Sequence, residues 1–112
     1  AGLYEPMHPA VIRALAEIGA AAMRAGKSVC VCGEIAGDEA VAVLLAGMGY
    51  DSLSVAPSFL PGLKFALRTI PLRDAKELVE QVVKLRSAAE IKVCLEVIRE
   101  RLGAAILSDE GG

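Results

Sequence analysis

The chain has 112 residues, 54% of them hydrophobic, a mean hydropathy of +0.51 and a net charge of −2. That is enough for one modest domain or a piece of a larger one. The mixed charge offers no basic face for nucleic acid, and no apolar run approaches the ~20 residues needed to span a bilayer.

Aromatic residues make up 4% and Trp is absent, so Ala, Val and Leu carry the apolar excess. Small domains usually fill their cores with a few large rings. This composition suits a piece that packs against more protein. The start, Ala1-Gly2-Leu3-Tyr4-Glu5-Pro6, has neither the basic residues nor the apolar stretch of a signal peptide. Cys30, Cys32 and Cys94 are odd in number and form no disulfide framework. They read as reduced thiols of a cytoplasmic protein.

Tyr4 to Pro9 is irregular, because two prolines turn the residues before them away from helix. Pro9 fits a first helical position, and a helix follows from Ala10 to Ala25 with Val11, Leu15, Ile18 and Ala22 along one stripe. Gly26 stands where a left-handed residue ends a helix. Ser28 to Cys32 is an uncharged β-branched and thiol run, a buried strand of the kind found in parallel sheets. Gly33 to Asp38 is a turn, and Asp38 caps the helix Glu39 to Gly47. A second strand covers Ser52 to Val55, and a loop then leads to a helix from Pro61 to near Thr69.

Leu72 to Leu85 is amphipathic through Ala75, Leu78, Val79, Val82 and Val83. Ser87 and Glu90 have the spacing of a capping box for a helix from Ala88 to Leu102, striped with Ile91, Leu95, Ile98 and Leu102. Residues 1–103 read as one unit and 104–112 as a polar tail, frayed from Ser108 onward. The fold class is α/β. A strand–helix–strand unit with a short crossover makes parallel strands, and two such strands do not form a stable sheet alone.

The residues that could carry chemistry are Cys32-Gly33-Glu34-Ile35-Ala36-Gly37-Asp38. They set a thiol at the carboxyl end of a strand, where parallel α/β folds build their sites. Gly33 lets a ligand approach the backbone, and Glu34 is a candidate ligand contact or a loop hydrogen-bonding group. Helix amides beyond the turn favour negative charge and make the thiol a readier proton donor. A cysteine on an apolar strand is also commonly just a small hydrophobe, and the residues alone leave that choice open. Cys30 and Cys32 share a strand face, but no second Cys or His pair follows at metal-ligand spacing. Cys94 reads as packing, His8 as a cap or surface residue, and Lys76, Glu77, Arg99 and Glu100 as solvated helix faces.

His8-Pro9-Ala10-Val11, Gly26-Lys27, Cys32 to Asp38, Leu44 to Gly49, Pro61, Leu63-Lys64, Arg68 and Asp74-Ala75-Lys76 together resemble enzyme I of the bacterial phosphotransferase system, the phosphoenolpyruvate–protein phosphotransferases. Pyruvate phosphate dikinases and phosphoenolpyruvate synthases are a related alternative, as is a non-catalytic interaction or dimerisation module.

The resemblance implies the C-terminal portion of a (β/α)8 TIM-like barrel, comprising its last two strands and the following helices. It also implies Cys32 as the acid that protonates enolpyruvate, a Mg2+ cofactor whose ligands lie outside this chain, a small phosphocarrier protein as partner, and a homodimer formed through the barrel. His8 does not correspond to the family's phosphorylated histidine, and Gly62 stands where a basic residue is usual. The chain by itself is therefore expected to be inactive. The resemblance does not separate a sugar-transport enzyme from its paralogue in nitrogen regulation.

Overall fold

A computed structural model of the protein describes residues 8–32 and 38–111. The elements run α1 (Pro9–Arg24), β1 (Cys30–Cys32), α2 (Glu39–Gly47), β2 (Ser52–Ser54), a 3-10 turn (Pro57–Phe59), α3 (Leu60–Thr69), α4 (Leu72–Val82) and α5 (Ala88–Gly111). The two strands pair in parallel, with Cys30 opposite Ser52, Val31 opposite Leu53 and Cys32 opposite Ser54. The crossover between them is α2, as the short strand–helix–strand pattern requires.

The core is organised around α2. None of the residues from Ala40 to Leu45 exposes more than 4% of its surface. A helix apolar on every side has to be enclosed, and α3, α4 and α5 all pack against it. Ile91, Leu95, Ile98 and Leu102 form the buried stripe of α5, while Ala75 and Val82 bring α4 into the same cluster.

Local signals explain the ends of these elements. His8 Nδ1 accepts from the Ala10 amide at 3.0 Å and caps α1 ahead of Pro9. Gly26 (φ +68°) and Gly49 (φ +104°) reverse the chain after α1 and α2. In each case the next residue donates back into the helix, Lys27 N to Ala22 O at 2.9 Å and Tyr50 N to Leu45 O at 3.1 Å. At α5, Ser87 Oγ accepts from the Glu90 amide at 3.2 Å, and the Glu90 carboxylate accepts from the Arg86 amide at 3.0 Å.

Five expectations need correction. The stripe Val11, Leu15, Ile18, Ala22 is covered only in part, with Leu15 packed against the core. Ile12 and Gly19 are buried, whereas Val11 is 38% and Ile18 52% exposed. The helix turns this way because Gly19 lies against the Met48 carbonyl in the α2–β2 connection, where a Cβ would collide. The Tyr50 hydroxyl then donates to Leu15 O at 2.9 Å and holds that contact. Secondly, α5 does not stop at Leu102. Ala104 to Leu107 continue it, and no proline or left-handed glycine intervenes, so the stretch read as a polar tail is helical to Gly111.

The strands are also shorter than expected at their edges, starting at Cys30 and ending at Ser54. Ser28 and Val29 bond to a side chain instead of the ladder: Asp51 accepts from Ser28 Oγ at 2.9 Å and from the Val29 amide at 3.1 Å. Finally, α4 closes at Val82, because Lys84 and Leu85 donate to Gln81 and Val82 in a tight turn. α3 begins one residue before Pro61, behind the 3-10 turn.

Candidate functional site

Asp51 stands at the amino ends of both strands and binds Ser28 and Val29 across the gap. That clamp aligns the pair, so their carboxyl ends finish level at Cys32 and Ser54. From there each strand leads to a helix, β1 to α2 and β2 through the 3-10 turn to α3. This end of a parallel sheet is where helix N-termini and connecting loops gather around ligands.

The two faces of the pair differ. Val29 packs against the core, while Cys30, Ser52 and Ser54 are exposed. Among the described residues no further strand flanks β1 or β2.

Cys32 is the last residue of β1. Its side chain, and all of Gly33 to Gly37 with the candidate contacts Gly33 and Glu34, lie outside the described residues. The turn ends at Asp38, which does what its type and position predict. Asp38 Oδ1 accepts from the amides of Ala40 at 2.9 Å and Val41 at 3.1 Å, capping α2. Its other oxygen, Oδ2, accepts from Arg99 Nη2 of α5 at 2.8 Å. Arg99 Nη1 in turn donates to Glu96 Oε1 at 2.8 Å. The Asp38 carboxylate beside it raises the Arg99 guanidinium above its ordinary pKa.

Arg99 is on the solvated face of α5, as read, and it also ties α5 to the start of α2. Sequence reasoning missed both Arg99 and Asp51. Only the Glu96–Arg99 spacing gave a local signal for Arg99, and that spacing pointed along α5, not across to α2.

The remaining candidates have structural roles. His8 is the α1 cap. Cys94 is half-buried against the core, and burial pushes its thiol up from the ordinary value. Over Gly62, the carboxylate of Glu39 fills the space in which a Cβ would begin. The lack of a side chain at position 62 and the placement of the Glu39 side chain over it, at the first turn of α2, thus go together. Among the described residues, no three His, Cys, Asp or Glu side chains converge as metal donors.

A family profile described as "PEP-utilising enzyme, PEP-binding domain" matches residues 1–72, which span α1 through α3. The chain is 38% identical over 94 residues to a phosphoenolpyruvate-protein phosphotransferase of Haemophilus influenzae, covering 84% of this chain and 16% of that protein. It is 39% identical over 93 residues to a multiphosphoryl transfer protein of Escherichia coli O6:H1, covering 83% of this chain and 11% of the relative. A protein of Salmonella typhimurium named phosphoenolpyruvate-dependent phosphotransferase system is 34% identical over 103 residues, 92% of this chain and 14% of its own length. The chain thus spans 11–16% of the length of these relatives.

Proposed function

The chain belongs to the phosphoenolpyruvate-utilising enzymes, matching their PEP-binding domain, and on that premise we propose that it contributes Cys32 as proton donor to the barrel of a phosphoenolpyruvate–protein phosphotransferase. The phosphoryl group passes from phosphoenolpyruvate to a protein histidine, leaving enolpyruvate. The enolate electron pair then takes the proton from Cys32 Sγ at its methylene carbon. A C–H bond forms, the S–H bond breaks, pyruvate leaves, and solvent reprotonates the thiolate. A positioned acid of this kind contributes roughly 100- to 10,000-fold to such a step.

The observation that carries the reading is the position of Cys32, which closes β1 level with Ser54 at the carboxyl end of a parallel pair, inside the matched residues. The barrel itself draws support from what this chain leaves uncovered. One strand face presents Cys30, Ser52 and Ser54 outward, and α1 exposes Val11 and Ile18, an apolar strip with no cover among the described residues. Preceding strands and helices of a (β/α)8 barrel would close both. The names of the relatives favour a protein phosphotransferase over a dikinase or synthase.

The described residues do not fit a magnesium site, since no donor cluster exists among them. Carboxylates for the ion would come from polypeptide beyond this segment. When bound, magnesium would stabilise the enolate charge. His8 Nδ1 caps α1, and the phosphorylated histidine is placed elsewhere by the resemblance to the family. A small phosphocarrier protein is the onward acceptor, and the barrel is the homodimer contact. No described helix is long and apolar enough to cross a membrane, which is compatible with an enzyme meeting its carrier in the cytoplasm.

The test is Cys32→Ala in the full-length polypeptide carrying this segment. Pyruvate release is expected to fall by about 100-fold or more, with phosphoenolpyruvate affinity changed only a few-fold. Unaltered turnover would overturn the assignment.

A further inference from the structure

We infer that Ser54 is a further substrate-binding residue of the proposed site, its hydroxyl donating to an anionic oxygen of phosphoenolpyruvate. The inference rests on the reading of the chain as two strands of a phosphoenolpyruvate-binding barrel. Ser54 is the last residue of β2 and stands opposite Cys32, the last residue of β1. Paired strands lie about 4.8 Å apart. A molecule the size of phosphoenolpyruvate at the end of one strand is therefore within reach of the other.

The face on which Ser54 lies is the one a barrel turns inward. Val29 packs against the helical core, while Cys30, Ser52 and Ser54 are exposed on the other side of the pair. In a closed barrel the side away from the helices is the interior, and bulky Val, Ile and Leu usually fill it in layers. Here the ladder sets Cys30 with Ser52 in one rank and Cys32 with Ser54 in the next. Cys and Ser are small, so these strands leave their share of the interior open at the carboxyl end, where barrel sites are built.

The hydroxyl is also available. Asp51 occupies that of Ser28 and the Glu90 amide that of Ser87, whereas Ser54 Oγ bonds to none of the described residues. Its height is fixed by the ladder, which Asp51 clamps at the opposite end through the Val29 amide. The hydroxyl keeps its proton throughout. It holds the substrate and leaves proton transfer to Cys32.

The experiment is steady-state pyruvate release by the full-length polypeptide carrying this segment, with phosphoenolpyruvate titrated at saturating phosphocarrier protein. Ser54→Ala is expected to raise KM about tenfold or more, the scale of a hydrogen bond to a charged group, with kcat held within about threefold. Ser54→Thr keeps the hydroxyl and recovers most of the loss. Ser52→Ala, one rank deeper on the same face, changes KM by less than about twofold. In the 112-residue chain the urea midpoint of Ser54→Ala matches that of the parent.

An unchanged KM in Ser54→Ala overturns the inference. So does an equal rise in Ser52→Ala, which would report a general change of the strand face, or a fall in the urea midpoint without recovery by Thr. The proton-donor reading fails on a different result, full turnover in Cys32→Ala. That outcome beside a raised KM in Ser54→Ala would remove the proton donor and leave Ser54 in place.

Discussion

Asp38 and Arg99 lie 61 positions apart in the chain and meet at 2.8 Å, with the carboxylate capping α2 on its other side. One side chain thus performs a local task and a long-range one, and substitutions can separate them. Asp38→Ala removes both the cap and the bridge and is expected to cost about 1–2 kcal/mol, the usual range for a lost N-cap. Asp38→Asn retains the cap and is expected to cost less than about 1 kcal/mol, the value of an exposed ion pair. Urea unfolding midpoints at constant slope measure both.

Two glycine-to-alanine substitutions are expected to move stability in opposite directions. A Cβ on Gly19 would strike the backbone carbonyl of Met48, so Gly19→Ala costs roughly 1–3 kcal/mol through overpacking. Gly103 lies within α5 with nothing within 4 Å of a built Cβ, and Gly103→Ala gains about 0.5–1 kcal/mol from reduced backbone freedom. Thermal melts of the two variants against the parent chain decide the point.

Exposure on α1 supplies a test of the barrel. In the 112-residue chain Ile18 is 52% exposed, and Ile18→Glu is expected to shift stability by no more than about 0.5 kcal/mol. In the full-length polypeptide the same carboxylate would be buried against the neighbouring barrel wall and would cost several times as much. Equal effects in the two settings would count against a covered α1 face.

Acid is expected to weaken the packing of α5 at two points. A hydrogen bond from Arg101 of α5, aided by Arg73, holds Asp74 of α4 below its ordinary 3.8. Glu90 is held below 4.5, first by the Arg86 amide and then by Ser87. Both folded carboxyls bind a proton less readily than their unfolded counterparts. Their stabilisation is therefore complete above those ordinary values and is lost as pH falls through the lower folded ones. Stability measured by denaturant titration is expected to decline on the acid side of about pH 4, and Asp74→Asn with Glu90→Gln to flatten that decline.

How much of this was legible in the sequence depends on how local each cause is. α2 was read at its observed limits, Glu39–Gly47, because Asp38 and Gly49 bracket it with a cap and a left-handed turn. The Ser87–Glu90 box and the His8–Pro9 start are short-range devices and were equally readable. The rotation of α1 was not. Its alanines make more than one face apolar, and the choice between faces was made by Gly19 against Met48, a contact from another element. Asp51 with Val29, and Asp38 with Arg99, join positions 22 and 61 residues apart, for which no local periodicity exists. In the site, the capping role of Asp38 and the parallel strand ends were legible, whereas the bond from Arg99 of α5 to Asp38 was not.

The enclosure of α2 on all sides also bears on how the molecule opens. A helix with one wet face can lift away while the rest stays folded, but Ala40 to Leu45 have no such face. Releasing their amides to solvent requires α3, α4 and α5 to separate together. Deuterium uptake in this stretch is therefore expected to be the slowest in the chain and to proceed only through global unfolding.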